Sequence, residues 1–184
     1  MAGIDMTLTF IPLNIAVLTV SDTRALAQDR SGDTLVDRLT QAGHKLAARA
    51  LVQDDVTAIQ AQVKAWVAST DIDIIITTGG TGFTGRDVTP DALEPLFDKK
   101  MDGFSILFHH LSFAKIGTST IQSRATAGLI DTTFVFGLPG SPGACKDAWD
   151  GILVHQLDYR YRPCNFVEIM PRLDEHLKRG TSSS

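Results

Sequence analysis

Residues 73–82 read DIIITTGGTG, a β-branched run that passes without a break into glycines. Three isoleucines and two threonines in succession show no polar alternation, which predicts a strand buried on both faces rather than one with a wet side. Strands of that kind belong to parallel sheets covered by helices. Upstream, Asp54 or Asp55 caps a predicted helix whose apolar stripe is Val56, Ile59, Val63, Trp66 and Val67. Before it, residues 46–52 read as a strand. Residues 33–42 read as a helix with Leu35, Val36, Leu39 and Ala42 at helical spacing and Gly43 as its stop, and residues 14–20 (NIAVLTV) as a second doubly buried strand. Downstream, Thr89 followed by Pro90 predicts an N-cap and first helical position for a short helix to about residue 97, and residues 103–113 suggest another. Residues 132–136 (TTFVF) form a later strand. The segment 137–143 (GLPGSPG) joins it to a helix capped by Ser141, with Cys145, Ala148, Trp149, Ile152 and Leu157 facing inward. Strands alternating with helices over short links require crossover connections. The expected fold is a single α/β domain, a mainly parallel sheet with helices on both faces.

The 184 residues carry 17 Lys+Arg against 21 Asp+Glu, a formal charge of −4, and 18 of the 21 acids are Asp. Helix surfaces favour Glu, whereas Asp prefers caps, turns and metal or phosphate sites, so the skew places many carboxylates at element ends. A mean hydropathy of +0.06 with 43% hydrophobic residues excludes a disordered or collagen-like chain. Apolar runs such as residues 15–18 are far below the roughly 18 to 20 residues of a bilayer span, so no membrane segment is expected. The first basic residue is Arg24, with Asp5 ahead of it, so no basic region leads into an apolar one and the cytoplasm is the expected compartment. Cys145 and Cys164 have no CxxC spacing and read as free thiols. No basic cluster exceeds short runs such as Lys99-Lys100, which argues against nucleic acid as a partner. The tail 180–184 is expected to fray.

The richest chemistry lies in residues 77–92, TTGGTGFTGRDVTPDA, where Gly79, Gly80, Gly82 and Gly85 follow a strand. Glycines at the carboxyl end of a parallel strand let backbone N–H groups approach an anion, and the threonines add hydroxyl donors. A phosphate-bearing ligand is the natural guess. Residues 80–85 formally satisfy GxGxxG, yet no helix opens within the loop and no acid ends a following strand, so a dinucleotide site is disfavoured. No Gly-Lys-Ser/Thr occurs, which disfavours a P-loop kinase. The second glycine segment, 137–143, ends a strand and opens a helix at the same end of the sheet, or is simply a tight strand-to-helix turn. Ser123-Arg124 offers a fork donor for phosphate or carboxylate. Asp22, Asp54 or Asp55, and Asp87 all fall after strands. Carboxylates converging beside a phosphate loop suit Mg²⁺, while each alone also reads as a cap or turn acceptor. The five histidines show no ligand spacing, and no GxSxG elbow exists.

Together these residues resemble the MoaB/MogA family of molybdenum cofactor biosynthesis proteins: Thr19-Val20-Ser21-Asp22, ITTGGTG at 76–82, GRDVTPDA at 85–92, SRA at 123–125 and LPGSPGA at 138–144. The resemblance spans residues 12–173, leaving 1–11 and 174–184 as terminal extensions. The stretch 116–120 (IGTST) and the ending RPCNF at 162–166 are most similar to the MoaB branch. The resemblance implies a doubly wound three-layer α/β/α fold with a mainly parallel sheet, of the molybdopterin-binding-domain kind, assembled as trimers or hexamers, with other molybdenum cofactor biosynthesis proteins as partners. It further implies transfer of AMP from Mg-ATP to the terminal phosphate of molybdopterin. Carried over by position, Thr78, Gly79, Gly80, Thr81 and Gly82, with Leu138, Pro139, Gly140, Ser141 and Pro142, would hold phosphates and pterin. Ser21, Asp22, Ser123 and Arg124 would line the same pocket. Asp54 and Asp87 match the family's two functional acids and would be catalytic, Mg²⁺-linked residues. The alternative, from a different class, is a molybdopterin-binding carrier or scaffold without turnover.

Overall fold

The computed structural model describes residues 2–23 and 26–175. In chain order its elements are β1 (Gly3–Ile4), β2 (Asn14–Val20), α1 (Arg30–Gln41), β3 (Lys45–Val52), α2 (Val56–Val67), β4 (Ile74–Thr78), α3 (Thr89–Leu93), β5 (Lys99–Lys100), α4 (Asp102–Ile116), β6 (Thr126–Ile130), β7 (Thr133–Leu138), α5 (Pro142–Ala148), α6 (Val154–Gln156), β8 (Tyr161–Arg162) and α7 (Phe166–Ile169). Short 3-10 or π turns extend several of the helices. Six strands form the main sheet in the order β3-β2-β4-β7-β6-β5. β3, β2, β4 and β7 pair in parallel, and β6 pairs antiparallel with both β7 and β5. The sheet is thus mainly parallel, as the unbroken apolar runs require.

β4 and β7 are buried along their whole length, and β2 at every position after Asn14. Their alternate side chains feed two cores. Ile15, Val17, Ile74, Ile76, Phe134 and Phe136 pack under α1, α4 and α5, with Leu35, Phe108 and Trp149 among their partners. Ala16, Leu18, Ile75 and Val135 pack on the other face with Ile59 and Val63 of α2 and Ala92 and Leu93 of α3. Trp66 sits only half-buried at the margin of that second core. From β2 the chain turns toward β3 at one edge, whereas from β4 it crosses toward β5 at the other. The carboxyl ends of β2 and β4 therefore flank a topological switch point, where an open parallel sheet leaves a crevice.

Four local expectations are corrected. α1 begins at Arg30, not Asp33, because Asp29 caps it by accepting from the Gly32 amide at 2.9 Å. That carboxylate is wholly buried and also accepts from the Thr19 hydroxyl (2.6 Å) and the Arg49 guanidinium (3.0 Å), contacts that helical periodicity cannot reveal. Thr89 is not an N-cap. It is the first helical residue, and its hydroxyl is engaged elsewhere, as described below. α4 runs from Asp102 to Ile116, longer than the expected 103–113. The strands β5 and β6 were not anticipated, being a two-residue lysine pair and a Thr-Ala-Gly stretch with little β-branching. The expected fraying of 180–184 lies outside the described residues. No helix among the described residues is long and apolar enough to cross a membrane.

α4 is apolar on more than its inner side. Phe104 and Phe108 face the core, while Ile106 (71% exposed), Phe113 (58%) and Ile116 (55%) point outward, joined by Ile121 (74%) on the following 3-10 turn.

The N-terminal segment straps the base of the sheet. β1 pairs with β8, and Phe10 packs on Gly43 and on the His44 ring at 5.1 Å. His44 is buried against Trp149 and accepts the Leu13 N–H at Nδ1 (3.2 Å). Burial pushes its pKa from 6.5 down to about 4, although the Asp158 charge pulls the other way. The unfolded chain therefore binds a proton between those values that the folded chain refuses. Stability from this group is complete above pH 6.5 and falls as pH drops toward 4. Denaturant midpoints measured from pH 7.5 down to 4.5 should decline below pH 6.5, and His44→Gln should flatten that slope; a parallel decline in the variant would assign the slope elsewhere.

Candidate functional site

Four adjacent strand ends, those of β3, β2, β4 and β7, build the site. At the end of β4, Gly79 adopts φ +107° and Gly80 φ +62°, conformations that side-chain-bearing residues rarely hold. A Cβ at Gly79 would lie 2.2 Å from the Val20 carbonyl oxygen, and one at Gly140 would lie 3.1 Å from the Gly79 Cα. The β2, β4 and β7 ends thus meet backbone to backbone. The Gly79 N–H donates to the Leu138 carbonyl (3.0 Å), and the Thr78 hydroxyl donates to the Pro139 carbonyl (2.9 Å), fastening the two glycine loops together. The Thr89 hydroxyl donates to the Gly79 carbonyl (2.8 Å) and its N–H to the Gly80 carbonyl (2.9 Å). Thr89 thus serves the loop instead of capping its own helix.

Above this junction lies a cavity of about 440 Å³. Its wall contains Ser21 and Asp22 after β2, Asp54 after β3, Gly79, Gly80, Thr81, Gly82 and Asp87 after β4, and Pro139, Gly140 and Ser141 after β7. Ser123 completes it, and its hydroxyl oxygen is buried with no hydrogen-bond partner among the described residues, a group that a bound ligand can satisfy. Thr78 and Leu138 lie buried beneath the loops, and Pro142 opens α5 with Ser141 as its cap. Arg124 is outside the wall. Its guanidinium is turned onto the carbonyls of Gly82 and Asp87 and the carboxylate of Asp91. Sequence reasoning missed Arg86, Thr84, Thr23 and Gln122 as wall residues. Arg86 is the one cation among the described wall residues, and its place between Gly85 and Asp87 in the glycine loop was the available signal.

Asp55, not Asp54, caps α2, accepting from the Ala58 amide at 2.8 Å. Asp54 is thereby free to face the cavity. Its carboxylate accepts the Asp22 N–H (2.9 Å) while the Asp22 carboxylate accepts the Asp54 N–H (3.0 Å), a reciprocal clasp between two strand ends. Burial lifts the Asp54 carboxyl above the ordinary carboxylate value, and the Asp22 and Asp87 charges push the same way against the Asp22 amide and Arg86. Asp87 moves oppositely. Burial would raise it, but hydrogen bonds from the Thr84 hydroxyl (2.6 Å), the Thr84 amide (2.9 Å) and the Gly82 amide, with the Arg124 charge, hold it below the usual value. Glycine at 82 is what admits this carboxylate, since a Cβ there would lie 2.7 Å from the Asp87 Oδ2. The cavity is therefore walled by two glycine loops, one arginine, the unpartnered Ser123 hydroxyl and the side chains of Asp22, Asp54 and Asp87. Such a mixture suits a phosphate ligand accompanied by a cation.

The comparisons with known proteins follow the same lines. Residues 16–159 match the family model described as a "Probable molybdopterin binding domain". The chain is 51% identical over 157 residues to the molybdenum cofactor biosynthesis protein B of Escherichia coli (strain K12), spanning 85% of this chain and 92% of the relative. A crystal structure of a molybdenum cofactor biosynthesis protein B superposes with a TM-score of 0.81 at 36% identity, over 90% of this chain and 98% of that one. The tungsten cofactor synthesizing protein MoaB from Pyrococcus furiosus superposes with a TM-score of 0.70 at 34% identity, over 77% and 91%.

Not all four loop glycines are equal. At Gly85 a Cβ would meet nothing within 4 Å. Gly79→Ala is expected to cost about 2 to 4 kcal/mol, and Gly85→Ala to stay within about 0.5 kcal/mol. Urea titration of both variants checks this, and equal effects would contradict the junction geometry.

Proposed function

We propose a function from one premise: the chain belongs to the MoaB/MogA family of molybdopterin-binding domains. Its work lies in molybdenum cofactor biosynthesis. In our reading it binds molybdopterin and ATP and transfers AMP to the molybdopterin phosphate. One observation carries this: Asp54 and Asp87, from two different strand ends, face the same cavity as the 79–82 loop and Arg86.

Mg²⁺ fits the donor set. The half-buried Asp54 carboxyl, raised by desolvation and by its acidic neighbours, would be relieved by a nearby cation. No group of three or more His, Cys, Asp or Glu among the described residues forms a cage. Mg²⁺ characteristically takes one or two carboxylates and completes its shell with water and substrate phosphates. Asp54 and Asp87 would hold it, and when bound it would offset the phosphate charge. Arg86, the unpartnered Ser123 hydroxyl and the glycine loops hold the anions in line. A molybdopterin phosphate oxygen then attacks the α-phosphorus of ATP, and the bond to the β-phosphate oxygen breaks to release pyrophosphate. No protein nucleophile is needed. The attacking phosphate is already ionised, so no strong general base is needed either, in keeping with a wall that holds no histidine among the described residues.

Purified protein with Mg-ATP and molybdopterin should form the adenylylated product and pyrophosphate. Asp87→Ala should still bind molybdopterin while losing about 100-fold or more in turnover, the scale expected when a charge-stabilising group is removed. Full turnover in that variant would refute the role of Asp87, and no product from the wild type would favour the carrier reading. We also propose self-association, as the family resemblance implies, through the outward apolar face of α4. Light scattering should give a trimer or hexamer, with Phe113→Asp shifting it toward monomer; a monomeric wild type would contradict this.

A further inference from the structure

Arg124 is half-buried at the start of the segment that leads into β6, the strand that runs against its neighbours. Each of its three guanidinium nitrogens has a partner in the loop and helix that follow β4. Nε donates to the Gly82 carbonyl (2.8 Å), Nη2 to the Asp87 carbonyl, and Nη1 to the Asp91 carboxylate (2.9 Å). Its own N–H donates to the Thr81 carbonyl (2.8 Å), and the exposed Phe83 ring lies over the guanidinium at 5.5 Å. These partners precede it by 33 to 43 residues, so the contacts tie distant parts of the chain.

The anchor of this side chain is also held. His109 on α4 donates from Nε2 to the Ser123 carbonyl (3.0 Å), and its Nδ1 lies 2.6 Å from the Ser105 carbonyl one turn earlier. A continuous chain of contacts therefore runs from α4 through His109, Ser123 and Arg124 to the loop that bears Asp87. We propose that Arg124 and His109 are positioning residues for Asp87, with Arg124 acting as a latch on the loop carbonyls and not as a fork for the ligand phosphate. The importance of Asp87 rests on the function proposed above; the latch itself rests on geometry alone. A planar guanidinium can reach three acceptors at fixed angles, whereas a lysine ammonium is a single point, so Arg124→Lys keeps the charge and loses the latch. The loop then loosens at Gly82 and Asp87, the two residues whose close approach sets the carboxylate.

The test uses the full chain, with Arg124→Lys and His109→Gln as independent variants. Amide hydrogen exchange without ligand should accelerate by roughly tenfold or more at Thr84 and Asp87, while exchange in β2 and β4 stays as in the wild type. In the adenylyl-transfer assay kcat should fall about 10- to 100-fold with the KM for molybdopterin within about threefold, because the group displaced is a reacting-site acid and not a ligand contact. Unchanged exchange at Thr84 and Asp87 would overturn the latch whether or not the wild type turns over. A raised KM at unchanged kcat would overturn it too, by making Arg124 a ligand-binding residue. If the wild type makes no product, the proposed function fails while the exchange result still decides the latch. If Arg124→Lys does not fold, His109→Gln carries the same decision.

Discussion

A methyl group at position 79 would sit 2.2 Å from the Val20 carbonyl oxygen, and one at position 140 would press on the Gly79 backbone. Close contact of three parallel strand ends is the constraint from which the rest of the site follows. Because β2, β4 and β7 approach without intervening side chains, their loops share hydrogen bonds and form one surface. The loops that line the cavity are then fixed by the sheet itself rather than by flexible side chains. The glycines also admit the acids. Asp54 Oδ1 would lie 2.9 Å from a Cβ at Gly80, and Asp87 Oδ2 would lie 2.7 Å from one at Gly82.

That arrangement separates the roles of the many aspartates. Asp29 and Asp55 cap helices, and Asp73 and Asp98 accept backbone amides of neighbouring strand segments. Asp22, Asp54 and Asp87 face the cavity. Their electrostatics differ because their donors differ. Hydrogen bonds from Thr84 and Gly82 and the Arg124 charge hold Asp87 low, while at Asp54 burial and like charge outweigh the Asp22 amide and Arg86. A net charge of −4 is compatible with an anionic ligand, since oriented N–H groups and a local cation decide binding over a few ångströms.

Much of this was legible in the sequence, and the exceptions share a cause. The doubly buried strands at 14–20 and 74–78 and the Ser141 cap follow from local pattern. The family motifs, quoted from the residues themselves, led to the two acids now found in one cavity. What escaped was set by tertiary partners. Thr89 reads as a cap until its hydroxyl finds the Gly79 carbonyl, and Arg124 reads as a phosphate fork until its donors meet carbonyls of a loop some forty residues earlier. β5 and β6 escaped because pairing, and not propensity, makes them strands. Gly85 reads as part of the binding loop, yet nothing in its surroundings demands glycine.

The central claim is that the glycine loops and the acids Asp54 and Asp87, which line one cavity, hold a phosphate together with a divalent cation. Calorimetric titration of ATP into the wild type and into Asp54→Asn, with Mg²⁺ and with chelator, tests it most directly. The account predicts tighter binding with Mg²⁺ in the wild type and a difference that collapses in the variant. Affinity indifferent to Mg²⁺ in the wild type, or a Mg²⁺ effect undiminished in Asp54→Asn, would contradict it.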